Sequence, residues 1–384
     1  MKEREQTMSD PIRILHMIGS LNTGGSQRMT LNLLKAIDRR RIQFDFVIDR
    51  PDQRALAPEA EALGAKIYEL PSFHGTNVHE IRQAWDAFFS QHSDYPILHT
   101  HVRSYASLFL PIAKAHGCVT VAHSHNTSNG AGMTARVKDV MQLPIRRQAD
   151  YLLACSRDAG EWLFGKRAAN SENFHILPNA IDTGLYRFSP AIRRDVRQAF
   201  GLEGKWVMGH IGRFSPQKNH GFLIDIFDAA ARKVPKAALM LVGDSETDGA
   251  TFHDAKKKIN ERGLADKVIF TGVRSDVHRL LQGMDVLVMP SFHEGLGMAA
   301  IEAQAAGLPC FLSERIPDEA VLSELAHKLP LTQEAALWAD AILASDLSRK
   351  DVSHFLITHG YDSRTAAAWL TDFYQNIISE SKTT

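Results

Sequence analysis

Short apolar runs recur along this chain, each closing on a polar or glycine-bearing turn before a segment whose apolar residues return at helical spacing. In the first half, runs at 13–19, 44–48, 66–70, 97–101, 119–125 and 151–155 predict strands, and segments at about 27–37, 55–63 and 79–91 predict helices. The pattern breaks at 176–182, a short stretch containing Pro178, and at the polar residues 183–189 that follow. It then restarts, with strands predicted at 206–211, 238–242, 268–270, 285–289 and 309–312 and helices at 190–200, 220–232, 252–262 and 277–282. Strands alternating with helices at this spacing predict an α/β chain with two doubly wound parallel sheets, each Rossmann-like. We place the domains at 1–185 and 186–361. A final amphipathic helix over 362–378 carries Ala366, Trp369, Leu370, Phe373 and Ile377 as a core stripe.

Composition narrows the partners. The 44 basic and 44 acidic side chains balance, which argues against non-specific binding of nucleic acid. Cys118, Cys155 and Cys310 lie far apart beside apolar residues, as three buried thiols in a reducing cytosol would. No apolar run approaches the roughly 18 residues of a membrane span, and residues 1–10 lack the apolar core of a secretory signal. The expectation is a cytoplasmic protein that touches a membrane at most from its inner surface. The stretch 136–147 bears on that point, because it mixes Arg136, Arg146 and Arg147 with Val137, Val140, Met141, Leu143 and Ile145. A partly buried helix with a solvated charged face is the preferred reading, and a patch meeting anionic headgroups is the sharper one.

The chemistry concentrates at 290–309. A buried strand at 285–289 runs into Gly295 and Gly297, then into the strong helix formers 298–306, closed by Gly307 and Pro309. Strand, glycine turn and helix make an anion site, where free backbone N–H groups and the positive helix end point at one spot. Glu294 and Glu302 cannot be there to hold a phosphate, but they suit hydroxyl groups on either side of it. The ligand so described has a diphosphate in the middle and sugars at both ends. At the end of the strand 206–211 stand Gly212-Arg213 and Lys218-Asn219, with a guanidinium that can fork onto phosphate and an ammonium as a point charge. Gly243-Asp244 and Gly272-Val273-Arg274 end the next two strands in what read as turns.

Two further patterns lie in the first half. Gly24-Gly25 follows the first strand, but its spacing from Gly19 does not fit a dinucleotide fingerprint. His99-Thr-His101 and His123-Ser-His125 each put two rings on one face of a strand, as a metal site would. With 18 histidines in the chain and no cysteine or carboxylate cluster beside them, zinc is the weaker reading. The loop 126–134, rich in Ser, Gly and Asn, reads as a mobile acceptor loop.

Glu294-x7-Glu302 in this setting, Gly212-Arg213-x4-Lys218-Asn219 and Pro178-Asn179-Ala180-Ile181-Asp182 together resemble the retaining glycosyltransferases of family 4, more narrowly the capsular and exopolysaccharide type. The resemblance spans nearly the whole chain. It implies the GT-B fold, two Rossmann-like domains facing across a cleft, with residues 362–384 crossing back onto the N-terminal domain. It implies a hexose or N-acetylhexosamine moved from a nucleoside diphosphate sugar, expected to be a UDP-sugar, to a saccharide or polyprenyl-linked saccharide acceptor, with no metal and no other cofactor. Glu302 would take the ribose hydroxyls and Glu294 those of the donor sugar, while backbone N–H groups of Leu296 to Met298, with Arg213 and Lys218, hold the diphosphate. His125 would contact the transferred sugar, and His123 would be structural. Gly24, Gly25, Asn179, Gly243, Val273, Arg274, Gly295 and Gly297 complete the donor-binding set, Val273 and Arg274 bordering the base. Ser26-Gln27 stands where many relatives carry a small residue and Glu. Two alternatives remain open at this point, a GT-B sugar-nucleotide 2-epimerase and a binding-only relative.

Overall fold

Buried parallel strands read as continuous apolar runs because both faces are covered, and that pattern is what organises both sheets here. The computed structural model describes residues 10–22, 24–126, 132–244 and 249–381, so Thr23 and the centre of the predicted acceptor loop lie outside the described residues. The chain divides into two compact units, one reaching to Ile181 and resuming at Gly360, the other running from Asp182 to His359.

The first unit holds β1 (Ile12–Gly19), β2 (Ile42–Ile48), β3 (Ile67–Glu69), β4 (Ile97–Thr100), β5 (Val119–Ser124), β6 (Tyr151–Ala154) and β7 (Phe174–Ile176). They form one parallel sheet in the order β3-β2-β1-β4-β5-β6-β7. The order reverses between β1 and β4, where His16 pairs in register with His99. One face packs Ile14, Phe44 and Phe46 against Leu31 and Leu34 of the helix Gly25–Ala36 and against Leu370, Tyr374 and Ile377 of the terminal helix Ser363–Ser381. The other face buries Trp85, Phe89 and Phe109.

The second unit holds β8 (Trp206–Ile211), β9 (Ala237–Val242), β10 (Val268–Phe270), β11 (Val286–Met289), β12 (Cys310–Ser313) and β13 (Ala326–Leu329), parallel in the order β10-β9-β8-β11-β12-β13. Here the reversal falls between β8 and β11, so the loops leaving these two strands meet at the crevice where such sheets bind ligands.

Several details depart from the sequence reading. The helix Ala106–Ala115 was not predicted, because Pro111 interrupts it. The carbonyl of Ser107, which Pro111 cannot satisfy, accepts instead from Gln148 Nε2 at 3.3 Å. The edge strands β7 and β13 are short and half-exposed, too weakly apolar to stand out. In the terminal helix Trp369 is 37% exposed and stacks on Phe373 at the margin, while Tyr374 is fully buried in the place the stripe left out. The preferred reading of 136–147 holds in that the stretch is partly buried, through Met141 and Ile145, with Arg136, Arg146 and Arg147 solvated, but the helix is broken and more of its apolar side is exposed than that reading allows. Pro144 separates two helices, Met133–Gln142 and Ile145–Gln148, and only Ala135 and Gln142 of the first are buried. Ile145 reaches the core, but Met133, Val137, Val140 and Leu143 are exposed, with Val140 at 66%. The three cysteines are buried, and none of them forms a disulfide. Among the described residues no helix is long and apolar enough to cross a membrane.

Candidate functional site

In the C-terminal unit the loops after β8 and β11 are tied together. Asn219 takes the left-handed conformation at φ 55° and donates from Nδ2 to the Pro290 carbonyl at 3.1 Å. Phe292 N–H donates to Gln217 O at 2.8 Å, and Gln217 Nε2 donates to His293 O at 2.7 Å. These bonds deliver Lys218 to Glu294, with Nζ 2.7 Å from Oε1 and 3.0 Å from Oε2. The side chains are 16% and 7% exposed, so the pair is largely withdrawn from water and rigidly placed. An ammonium has three N–H donors, and the carboxylate uses two of them. Arg213 stands exposed in the same loop.

Gly297 caps the helix Met298–Ala305 at φ 81°, a conformation that strains any residue with a Cβ. In the first turn Ala300 N–H turns back to the Gly297 carbonyl at 2.9 Å, while the N–H groups of Met298 and Ala299 fall ahead of the intrahelical ladder, next to Gly297. Leu296 is 5% exposed and anchors the turn in the core, so only its backbone is offered outward, while Gly295 is exposed. Met298 and Glu302 are half-buried on the helix. A Cβ on Gly243 would stand 2.1 Å from the Gly212 carbonyl oxygen, and Gly243 N–H donates to Gly272 O at 3.0 Å. That glycine lets the ends of β8, β9 and β10 close together, a packing role beneath the loop that carries Arg213. Val273 is 65% exposed in the turn after β10, and Arg274 forks onto Asp276 with both contacts at 2.8 Å.

Two histidines beneath this loop were not singled out in the sequence. His210 donates from Nδ1 to Val288 O at 2.8 Å, and among the described residues its Nε2 and both nitrogens of His220 have no hydrogen-bond partner. His220 stacks on Phe214 with centroids 4.2 Å apart. Burial, with the Lys218 charge beside it, pushes the His220 ring down to about 4, so both floor residues stay neutral.

In the N-terminal unit, Gly24 caps the helix Gly25–Ala36 without a side-chain bond, two residues earlier than predicted from the pattern. The His-x-His pairs are two parts of a larger assembly. His16 of β1, His99 and His101 at the end of β4, His123 and His125 at the end of β5, and Tyr374 of the terminal helix meet in one cluster. His16 Nδ1 lies 3.1 Å from His101 Nε2, and His101 Nδ1 lies 2.8 Å from His125 Nε2. His125 Nδ1 meets Asn179 Oδ1 at 3.1 Å. Alongside, Tyr374 Oη lies 2.6 Å from His99 Nδ1, and His99 Nε2 lies 3.2 Å from His123 Nδ1. Burial pushes every ring below its ordinary range, His16 to about 3 and His125 to about 4. The nitrogens of two trios, His16/His99/His101 and His101/His123/His125, lie within 4.8 Å of one another, near enough to ask about a cation. The same nitrogens also meet in pairs at hydrogen-bonding distances, His16 with His101 and His101 with His125. His16 and Tyr374 were missed, although a histidine inside the apolar run Ile14-Leu15-His16-Met17-Ile18 was the available signal.

Comparisons with known proteins bear on both units. The family model Glycosyltransferase Family 4 matches residues 23–185, and Glycosyl transferases group 1 matches 192–328. EpsF of Bacillus subtilis, assigned as a glycosyltransferase, is 32% identical over 384 residues, covering 96% of this chain and 97% of its own. A UDP-Gal:alpha-D-GlcNAc-diphosphoundecaprenol alpha-1,3-galactosyltransferase of Escherichia coli is 28% identical over 57% of this chain and 58% of its own. Among solved structures, HepE of Anabaena in complex with UDP superposes with a TM-score of 0.77 at 18% identity, over 95% of this chain and 100% of that one. The same protein with UDP-glucose gives 0.71 at 20% identity, over 97% and 100%. These likenesses identify the fold as GT-B. With EpsF matched nearly end to end and the two family models covering both units, this chain belongs to glycosyltransferase family 4.

Proposed function

We propose that this chain is a retaining transferase that moves a hexose or N-acetylhexosamine from a UDP-sugar to a glycan or polyprenyl-linked saccharide in surface-polysaccharide assembly. The observation that carries the reading is the Lys218–Glu294 pair, 2.7 Å apart beside the helix N-terminus after Gly297. This pair supports a reading in which Lys218 meets the charge gathering on the leaving diphosphate and Glu294 accepts from sugar hydroxyls. Arg213 and the backbone N–H groups of Leu296 to Met298 complete the anion site, and Glu302 takes the ribose. The reaction asks for no resident metal, because side-chain cations stabilise the leaving group. The bond from the anomeric carbon to the diphosphate oxygen breaks as the acceptor oxygen arrives on the same face, and the acceptor proton passes to the departing diphosphate.

The E. coli relative's UDP-Gal donor and undecaprenol-linked acceptor, and HepE's UDP and UDP-glucose, support this choice of donor and acceptor. The exposed stripe Met133, Val137, Val140 and Leu143, flanked by Arg136, Arg146 and Arg147, supports a contact with an anionic membrane face where a lipid-linked acceptor would be collected. The test is a thermal-shift panel of UDP, GDP, ADP and dTDP on the parent and on Glu302→Ala. At a hundredfold excess over the dissociation constant, a bound nucleotide adds about 2.7 kcal/mol. A shift with UDP that vanishes in the variant is expected, and no shift with any diphosphate would remove the donor site.

A further inference from the structure

Both ring nitrogens of His125 have a polar neighbour within the fold. The Asn179 amide oxygen lies 3.1 Å from Nδ1 of His125, and such an oxygen only accepts. With the amide so oriented, the arrangement calls for a proton on His125 Nδ1 and a lone pair on Nε2. His101 Nδ1 lies 2.8 Å from that lone pair and donates to it. The step repeats. His101 Nε2 is now the acceptor, and His16 Nδ1 donates from 3.1 Å. His16 Nε2 ends the string, facing the Tyr374 hydroxyl at 3.5 Å.

Ring positions agree with this assignment. The planes of His16 and His101 differ by 14° with centroids 5.4 Å apart, and those of His101 and His125 by 25° at 5.0 Å. Each separation is the nitrogen–nitrogen distance plus about one ring's breadth, so the rings meet edge to edge and nearly in plane, as an in-line N–H···N bond requires. His99 and His123 lie against this row, with centroids 4.6 Å from His101 and 4.0 Å from His125 respectively.

We propose that His101 and His16 are positioning residues of the transfer site, forming with Asn179 a one-way N–H···N string that locks His125 as the Nδ1–H tautomer. This rests on the reading of His125 as part of that site. Imidazole in water prefers its proton on Nε2, so the string selects the minority form. Both nitrogens of His125 are engaged within the fold, which excludes it as a general acid or base and leaves a ring edge of fixed orientation and no charge. A second proton would have to displace His101 from Nε2, in a buried place with Arg103 adding a like charge.

The test joins tautomer spectroscopy to kinetics on the full chain. In nitrogen-15 correlation spectra of histidine-labelled protein, His125 is expected as a single Nδ1–H form, and an Nε2–H form or a mixture in the parent overturns the proposal. His101→Leu uncovers the Nε2 lone pair, so His125 should titrate at least about one pH unit higher and the acid limb of kcat should move with it. His101→Asn keeps an N–H near the Nδ1 position and should leave both in place. A purely structural role would destabilise the two variants without separating their acid limbs, and coincident limbs would sink the idea. Absence of transfer with every donor would instead fail the functional reading, while the spectra still decide the string.

Discussion

Replacing His123 by Leu should flatten the acid sensitivity of the N-terminal unit. His123 is 1% exposed, and burial holds its ring well below the ordinary value of 6.5. His16, His99, His101 and His125 face it from β1, β4 and the end of β5, with Arg103, the Tyr374 hydroxyl and the Leu177 carbonyl nearby. A histidine whose folded pKa is depressed contributes stability above the unfolded value, and that contribution is lost as pH falls from 6.5 toward the folded value. Each unit of pH in that window costs about 1.4 kcal/mol per histidine, so by pH 5 the unfolded chain has gained about 2 kcal/mol through this residue alone.

The substitution removes that proton from the unfolded chain. It also strips His99 Nε2 of its partner at 3.2 Å, a loss of about 1–3 kcal/mol that is the same at every pH at which His99 stays neutral. The signature is therefore the difference in slope, not the stability at pH 7. For a unit of roughly 200 residues, about 2 kcal/mol corresponds to about 4–8 °C in Tm. His123→Leu should lose that much less than the parent between pH 7 and pH 5. Because His210 and His220 make the C-terminal unit acid-sensitive too, the assay is hydrogen exchange in peptides from β4 and β5 alongside the thermal scan. Parallel pH curves for parent and variant would mean that the buried ring takes up its proton in the folded state, and the reasoning would fall.

Two other substitutions probe the remaining features. Lys218→Met leaves Glu294 as an unpaired carboxylate only 7% exposed, so urea unfolding should show a loss of about 3 kcal/mol, and the UDP-dependent thermal shift should vanish. Adding Glu294→Gln should restore most of the stability but not UDP binding, and restored binding would refute the role given to Lys218. On the exposed helix, Val137→Ser with Val140→Ser should weaken sedimentation with phosphatidylglycerol vesicles roughly 100-fold, at about 1.5 kcal/mol per valine, and raised salt should weaken the parent through Arg136, Arg146 and Arg147. A parent that ignores vesicles, or a variant that binds as well, would remove the membrane contact.

The legibility of this chain follows the range of the interactions involved. Interior strands such as β1 and β8 were plain because burial on both faces is written into consecutive residues, whereas β7 and β13 sit at edges where nothing forces an apolar run. The helix Ala106–Ala115 stayed hidden because a proline normally ends a helix, and what rescues this one is Gln148, a side chain 41 residues away. The same logic separates the two halves of the site. Lys218 and Glu294 were each legible as chemistry at a strand end, but their pairing across 76 residues needed the β8–β11 reversal to bring the loops together. The histidines go one step further. Two pairs were visible as His-x-His, yet the string that gives His125 its tautomer runs through His16, which enters only because β1 and β4 are neighbours in register. Spacing within a strand reports which way a ring points, and strand order decides which ring it meets. A role that depends on the meeting cannot be read from one strand at a time.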